Sequence, residues 1–298
     1  MIEANADTQP TRTKRIEVFD TVVREVIWET ADTVTLLLDP GDHHRDYLAG
    51  QFISIDPAQF PELRQQVAYF EHVKGRREAV RAYSMASTPD EPLLAITIKE
   101  ETFIPGTTEY PPLLSPFLVH GIAPGRRITV KGYSGFYAVS HETAEQTDHL
   151  VHVVAGSGVV PNFAMVKWAL AHLPTVRHTF VYSNKTWDEV IFARELDGLA
   201  ARSGGRLRLM HCLTREPAVP ANASCARLGR INAEILSEAI PDPKACLVYS
   251  CGPGLTRWDK KAARERGEEP RPRFLETVKE LLEGIGVPRT AIHTEAYG

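Results

Sequence analysis

Apolar and polar positions follow one rhythm in the first half of the chain and another in the second. From about residue 21 to residue 143, β-branched and aromatic residues come in short runs broken by Gly, Pro and Asp. Runs 22–30 and 33–38, split by Ala31-Asp32, predict a hairpin. Residues 50–55, 81–87, 94–99 and 127–132 predict further strands. Many short strands with Gly and Pro turns between them indicate a closed or nearly closed β-barrel. One helix is expected within it at residues 115–121, with Ser115 as N-cap and Pro116 as first helical residue. The polar stretch 57–78 reads as a loop or short helix inserted into the barrel.

Near residues 142–148 the composition turns polar, and there the pattern changes to strand then helix, repeatedly. Strands are expected at 150–154, 178–182, 207–213, 245–250 and 291–295, and helices at 161–172, 189–201, 232–239 and 273–283. That alternation predicts an α/β domain with a parallel, Rossmann-like sheet. The expected organisation is a tail over residues 1–17, a barrel over 18–145 and an α/β domain over 146–298. The charged segment 257–273 reads as a solvated helix or loop.

The clearest local signal lies where residues 151–154, all apolar but for His152, run into Gly156-Ser157-Gly158 and leave with helical spacing. Strand, glycine turn and helix in that order suit a phosphate-bearing ligand. Glycines let the backbone turn sharply and let a diphosphate approach, and the helix N-terminus offers free N–H groups. Pro161 stands near the first helical turn, where its missing N–H costs least, and takes the place of the third glycine of the dinucleotide fingerprint. Glycine turns after buried strands also occur for structural reasons alone, so the turn by itself leaves the chemistry open.

Bulk properties narrow the field. The 298 residues suit two domains, and a net charge of −4 spread over both halves gives no basic surface for nucleic acid or an anionic membrane. No apolar run approaches the length of a membrane span, and the polar N-terminus lacks a signal-like core, so a cytoplasmic location is expected. The four cysteines show no Cys-x-x-Cys pair, zinc spacing or iron–sulfur pattern, so no metal site is expected. Cys212, Cys225 and Cys246 read as buried thiols.

Four motifs stand in order: Arg81-Ala82-Tyr83-Ser84, Gly156-Ser157-Gly158-Val159-Val160-Pro161, Cys251-Gly252-Pro253 and Glu295-Ala296-Tyr297. From about Val22 to the C-terminus the chain resembles the ferredoxin–NADP reductase superfamily, most of all the reductase components of bacterial ring-hydroxylating or CoA-ester oxygenases. The resemblance implies a flavin on the barrel, FAD with FMN as the alternative. Arg81 would meet its phosphates with a guanidinium fork, Tyr83 would lie against the ring or ribityl chain, and Ser115 would give a second phosphate contact. It implies Ser84 at the flavin N5, Cys251 beside the nicotinamide C4 over a turn shaped by Gly252 and Pro253, Glu295 as proton relay to Ser84, and Tyr297 closing the flavin face. Two departures bear on the flavin tail: the family's glycine before Ser115 is Pro112, and its Gly-Pro-x-Gly-x-Phe hairpin is Gly132-Tyr133-Ser134-Gly135-Phe136-Tyr137.

The second α/β strand runs into Ser183-Asn184-Lys185, with no carboxylate before Asp188. Hydroxyl and ammonium there, with Arg215, suit a 2′-phosphate and hence NADPH, with NADH as the alternative. Lys185 and Arg215 read equally well as surface charges. The chain carries no fused [2Fe–2S] domain, so the resemblance implies a separate ferredoxin or Rieske protein as electron acceptor. Alternative readings are an NAD(P)H-dependent flavin or ferric reductase, and a flavin-bearing electron-transfer subunit of a larger complex.

Overall fold

A computed structural model describes residues 16–106, 108–223 and 225–297. The tail expected over residues 1–17 lies outside these except for Ile16 and Glu17, and Glu17 already pairs with Gly132 at the start of the first strand.

The first half builds one antiparallel sheet from β1 (Glu17–Thr30), β2 (Thr33–Asp39), β3 (Phe52–Ile55), β4 (Arg81–Ser84), β5 (Leu94–Lys99) and β6 (Arg127–Ser134). Its order is β4-β3-β6-β1-β2-β5. The two edge strands meet just past β4, where Met85 bridges Ile96 and the Ala86 N–H donates to the Ala95 carbonyl at 2.7 Å. The sheet therefore curls onto itself as a barrel, around Val34, Leu36, Ile53, Ile55, Met85, Ile96 and Ile128, all fully buried. The hairpin over Ala31-Asp32 forms as the alternation implies.

The insertion 57–78 orders as two 3₁₀ turns and helix α1 (Arg64–Lys74), which ends at Gly75 in the left-handed region. The barrel's other helix is α2 (Leu114–His120). Ser115 is not its N-cap. Leu113 holds that position without a side-chain bond, while Ser115 lies buried inside the first turn and accepts the Glu101 N–H at 3.2 Å.

Beyond the short helix α3 (Thr143–Gln146), the second half is a six-stranded, wholly parallel sheet. Its elements are β7 (His149–Ala155), α4 (Val159–His172), β8 (Arg177–Asn184), α5 (Ala193–Arg202), β9 (Leu207–Leu213), β10 (Ala226–Leu228), α6 (Ala233–Ala239), β11 (Leu247–Pro253), α7 (Arg257–Glu265), α8 (Phe274–Gly284) and β12 (Ile292–Tyr297). The expected helix over 189–201 begins later. Phe192, at φ 60°, interrupts the chain after a 3₁₀ turn, and α5 starts at Ala193. Three-residue β10 carries no alternation to betray it. Cys212 and Cys246 are buried as expected; Cys225, placed just before β10, is exposed.

The strand order β10-β9-β8-β7-β11-β12 positions the site. The chain moves outward from β7 to β8, β9 and β10, then returns to place β11 on the other side of β7. The order thus reverses between β7 and β11, and in open parallel sheets ligands bind outside the strand ends at such a switch point. Among the described residues no helix is long and apolar enough to cross a membrane.

Candidate functional site

Both strands at the switch point end in glycine motifs. Past β7, Gly156 takes φ 52° and starts a 3₁₀ turn that leads directly into α4. No atom stands within 4 Å of where a Gly156 Cβ would lie. Gly158 has no such room: a Cβ there would stand 2.3 Å from the Cys251 carbonyl oxygen at the end of β11. Gly252 is pressed in turn, its Cβ position 2.7 Å from the Phe274 ring. The turn is held from behind by the buried Tyr182, whose hydroxyl donates to the Gly156 carbonyl at 3.0 Å and accepts the Ile191 N–H at 3.3 Å. α4 has fourteen residues, no acidic residue in its first turn and Pro161 at its third position. An open glycine turn on the positive end of a long helix fits a diphosphate. Ser157 lies in that turn, half-buried.

The residues expected to choose between the two nicotinamide nucleotides also converge. Ser183 is half-buried near the end of β8, and the Arg215 N–H donates to the Lys185 carbonyl at 2.8 Å, so both exposed cations stand side by side. The Lys185 ammonium lies 3.5 Å from Glu189, a carboxylate that also faces Lys99 at 3.9 Å.

On the barrel, β4 supplies Arg81, Tyr83 and Ser84. The Arg81 guanidinium donates to Glu78 at 2.7 Å and to the Ala79 carbonyl at 2.9 Å. Glu78 is buried and takes Lys74, at the end of α1, at 2.6 Å on its other oxygen. Burial works to raise the Glu78 carboxyl, but hydrogen bonds from Lys74 and Arg81 outweigh it and hold it below its ordinary value. Lys74 also lies over the Phe70 and Tyr110 rings, at 4.5 and 4.9 Å from their centres. The insertion is thus anchored to the strand that carries Arg81. Tyr83 is half-buried, and burial together with the charge of Glu101 keeps its phenol neutral. Because Glu101 also bonds Ser115, the expected flavin contacts Arg81, Tyr83, Ser84 and Ser115 share one face of the barrel.

The two sheets meet at Ser84. Its hydroxyl donates to Glu295 Oε1 at 3.1 Å, across 211 residues of sequence. Glu295 is half-buried in β12 and stands in register with Cys251 on β11; two residues on, Tyr297 stands in register with Pro253, and its hydroxyl bonds Ser84. Burial pushes the Glu295 carboxyl up to about 7, against a smaller opposite pull from Ser84. Burial and the Glu295 charge push the Cys251 thiol well above its ordinary range, so it stays protonated. The arrangement can hold a proton at a group poised near neutrality beside a neutral, compact thiol.

Some site residues escape sequence reasoning. Tyr137, from the altered hairpin, is buried against the site and donates to Asn162 Oδ1 at 2.9 Å. Asn162, on α4, gives its amide to His152 Nδ1 at 3.0 Å and to the Tyr249 carbonyl at 3.1 Å. His152 Nε2 then meets His178 Nδ1 at 3.2 Å. Gly50 permits this packing, since a Cβ there would stand 2.4 Å from the Tyr137 carbonyl oxygen. Two signals were visible in the chain: a histidine inside an otherwise apolar strand, and an asparagine directly after Pro161.

A barrel that hands a serine to the last strand of a parallel sheet, beside two glycine-bearing strand ends, defines a two-domain dinucleotide-site protein. The oxidoreductase NAD-binding domain family matches residues 153–258. The ferredoxin reductase component of 3-ketosteroid-9-alpha-monooxygenase from Rhodococcus rhodochrous is 27% identical, over 92% of this chain and 64% of the relative. The glycine betaine monooxygenase reductase subunit of Pseudomonas aeruginosa is 24% identical, over 81% of this chain and 56% of the relative. The chain therefore spans less than two thirds of the length of these curated relatives. The flavohem-like FAD/NAD-binding domain of nitric oxide dioxygenase from Vibrio cholerae superposes with a TM-score of 0.68 at 23% identity, covering 94% of this chain and 98% of that one. With four motifs in order on this fold, the chain belongs to the ferredoxin–NADP reductase superfamily.

Proposed function

We propose that the protein is a flavin-dependent NAD(P)H oxidoreductase that takes hydride from NADPH and delivers electrons, by way of FAD, to a separate ferredoxin or oxygenase component. The observation that carries this reading is the Ser84–Glu295 bond, 3.1 Å long, beside Cys251 at the switch point. It puts a proton-holding pair from one domain against the strand end of the other, where a nucleotide on the Gly156–Gly158 turn would reach.

The residues present fit both groups. Gly156, Ser157, Gly158 and Pro161 would receive the nicotinamide nucleotide's diphosphate; Ser183, Lys185 and Arg215 would face its 2′-substituent. Gly252 and Pro253 would shape the floor beneath the nicotinamide. Arg81, Tyr83 and Ser115 would hold the flavin, once its phosphates share the Arg81 guanidinium with Glu78. When bound, the flavin supplies a two-electron acceptor that can give up electrons one at a time. Ser84 would fix the orientation of the ring edge that accepts hydride. Glu295, near neutrality, would take or return the accompanying proton through the Ser84 hydroxyl. Cys251, kept as a thiol by burial, would pack against the reacting carbon without attacking it. Tyr297 would cover the flavin face and keep water from it.

The test is an anaerobic titration of the purified protein, reconstituted with FAD, against NADPH and in parallel NADH, read from the flavin visible band. Bleaching at far lower NADPH than NADH is the expected result. Preference for NADH would overturn the roles given to Lys185 and Arg215 while keeping the reaction. Failure to bind FAD or FMN would overturn the reading.

A further inference from the structure

The segment between β11 and α8 begins four residues after Pro253, at the rim of the site. Its helix α7 is fixed by a full capping box: the Thr256 hydroxyl accepts the Asp259 N–H, and Asp259 accepts the Thr256 N–H at 2.8 Å. Arg273 donates to the other Asp259 oxygen at 2.7 Å, tying the far end of the segment back to the helix start. Ala263 is the buried face. The opposite face is a row of cations, Arg257, Lys260, Lys261 and Arg264, at the i, i+3, i+4, i+7 spacing that puts side chains on one side of a helix. All four are exposed. Lys261 reaches across to the barrel and meets Glu109 at 3.3 Å. Arg257, Lys260 and Arg264 make no ion pair with the described residues, although most other basic side chains on this surface do.

This row contrasts with its setting. The whole chain carries −4, yet α7 places four cations against Asp259 and Glu265, and Asp259 is spent on the cap and Arg273. A solvated helix needs no such segregation, and unpaired like charges at i, i+3 and i+4 repel one another. We propose that the exposed row of α7 is the docking surface for the electron-accepting partner, and that the partner presents an acidic protein surface around a one-electron centre. The row stands beside the Cys251–Pro253 strand end, so a partner seated on it lies next to the flavin edge rather than across the molecule. The partner's role as acceptor rests on the function proposed above; the charge preference does not. One NAD(P)H gives two electrons and a proton; two oxidised partners each take one electron, NAD(P)⁺ is left, and the proton is released to solvent.

The experiment uses the FAD-reconstituted protein, an acidic plant-type [2Fe–2S] ferredoxin as probe, and the variants R257E/K260E/R264E and R257Q/K260Q/R264Q. Calorimetry measures ferredoxin binding at several salt concentrations, and stopped flow measures NADPH bleaching of the flavin without ferredoxin. Charge reversal should weaken binding by about tenfold or more at low salt and flatten its salt dependence, with the glutamine variant in between. Bleaching by NADPH should not change, because the cap and the strand end are untouched. Equal ferredoxin affinity and salt dependence in wild type and both variants would overturn the surface. Slower bleaching in the variants would overturn it as well, because the row would then serve the nucleotide. A wild type that binds ferredoxin in a salt-dependent way but shows no bleaching would keep the surface and sink the catalytic reading.

Discussion

Glu295 is the residue whose titration reports most directly on the site. Its carboxyl lies near 7 when folded, against an ordinary value of 4.5, because burial disfavours its charge. Between those two values the folded protein holds the proton that the unfolded chain releases, so this group's contribution to stability falls as pH rises from about 4.5 to 7 and stays lost above. Glu295→Gln should therefore be more stable than wild type at pH 8 and no more stable at pH 4, as read by urea unfolding at both values. The same substitution removes the proton store. NADPH bleaching should slow by about a hundredfold, and its pH dependence between 6 and 8 should vanish. A Gln variant that retained the wild-type pH profile would mean that Glu295 only positions Ser84. The cysteines give a simpler check. Cys212 and Cys246 are buried with thiols raised to about 11, and Cys251 is buried and raised further. Iodoacetamide on the native protein should label Cys225 first and leave the other three until denaturant is added, as mass spectrometry would show.

At the scale of elements, the two glycines of the nucleotide turn differ in what they protect. Gly156→Ala meets no atom and bears only the left-handed backbone at φ 52°, a penalty of about 1–2 kcal/mol. Gly158→Ala pushes a methyl into the Cys251 carbonyl and must pry β7 from β11, costing about 1–3 kcal/mol and displacing the strand end on which the nicotinamide would rest. Urea midpoints should fall in both, but NADPH affinity should fall much further in Gly158→Ala. Equal losses would place the nucleotide away from the β11 end. Most of these elements were legible in the chain because they are regular. Buried parallel strands are continuous apolar runs, and barrel strands alternate. What escaped was set by other forces. α1 carries Tyr69 and Val73 exposed and is held by the Lys74–Glu78–Arg81 ion cluster, which no periodicity announces. The start of α5 was set by Phe192 in a conformation rare for a bulky residue, and Ser115 was drawn from a capping role to a backbone N–H in a distant loop. The motif residues, by contrast, came together as the resemblance implied, because their spacing along strand ends is a property of the sheet.

Across the whole molecule, the seam between the domains is polar where the chain gave little notice. Tyr137 bonds Asn162, Lys167 meets Glu91 at 2.5 Å, and His172 meets Asp90 at 2.7 Å, each joining segments far apart in sequence. Such pairings depend on how two finished domains dock, which local pattern cannot encode. The same holds for the imidazoles beneath the sheet. His149, His152, His178 and His211 are all at most 2% exposed. Burial lowers His149 to about 4, His178 to about 3 and His211 to about 4, and lowers His152 well below its ordinary value. Unfolded, each would bind a proton near 6.5. Their contribution to stability is therefore complete above pH 6.5 and is lost as pH falls toward 4, by about 1.4 kcal/mol per histidine for each pH unit. Four such groups would remove about 8 kcal/mol between pH 6.5 and 5, comparable with the net stability of an ordinary domain. The melting temperature should thus drop steeply over that interval. His211 isolates the cause, because neither ring nitrogen finds a hydrogen-bond partner and the ring packs between Tyr182 and Trp187. His211→Phe keeps an aromatic ring there and removes one protonation site. It should melt near the wild-type temperature at pH 7.5 and distinctly above it at pH 5, by differential scanning calorimetry. Parallel melting curves for the two proteins would show that acid acts elsewhere, on the Glu91 and Asp90 pairs that join the domains.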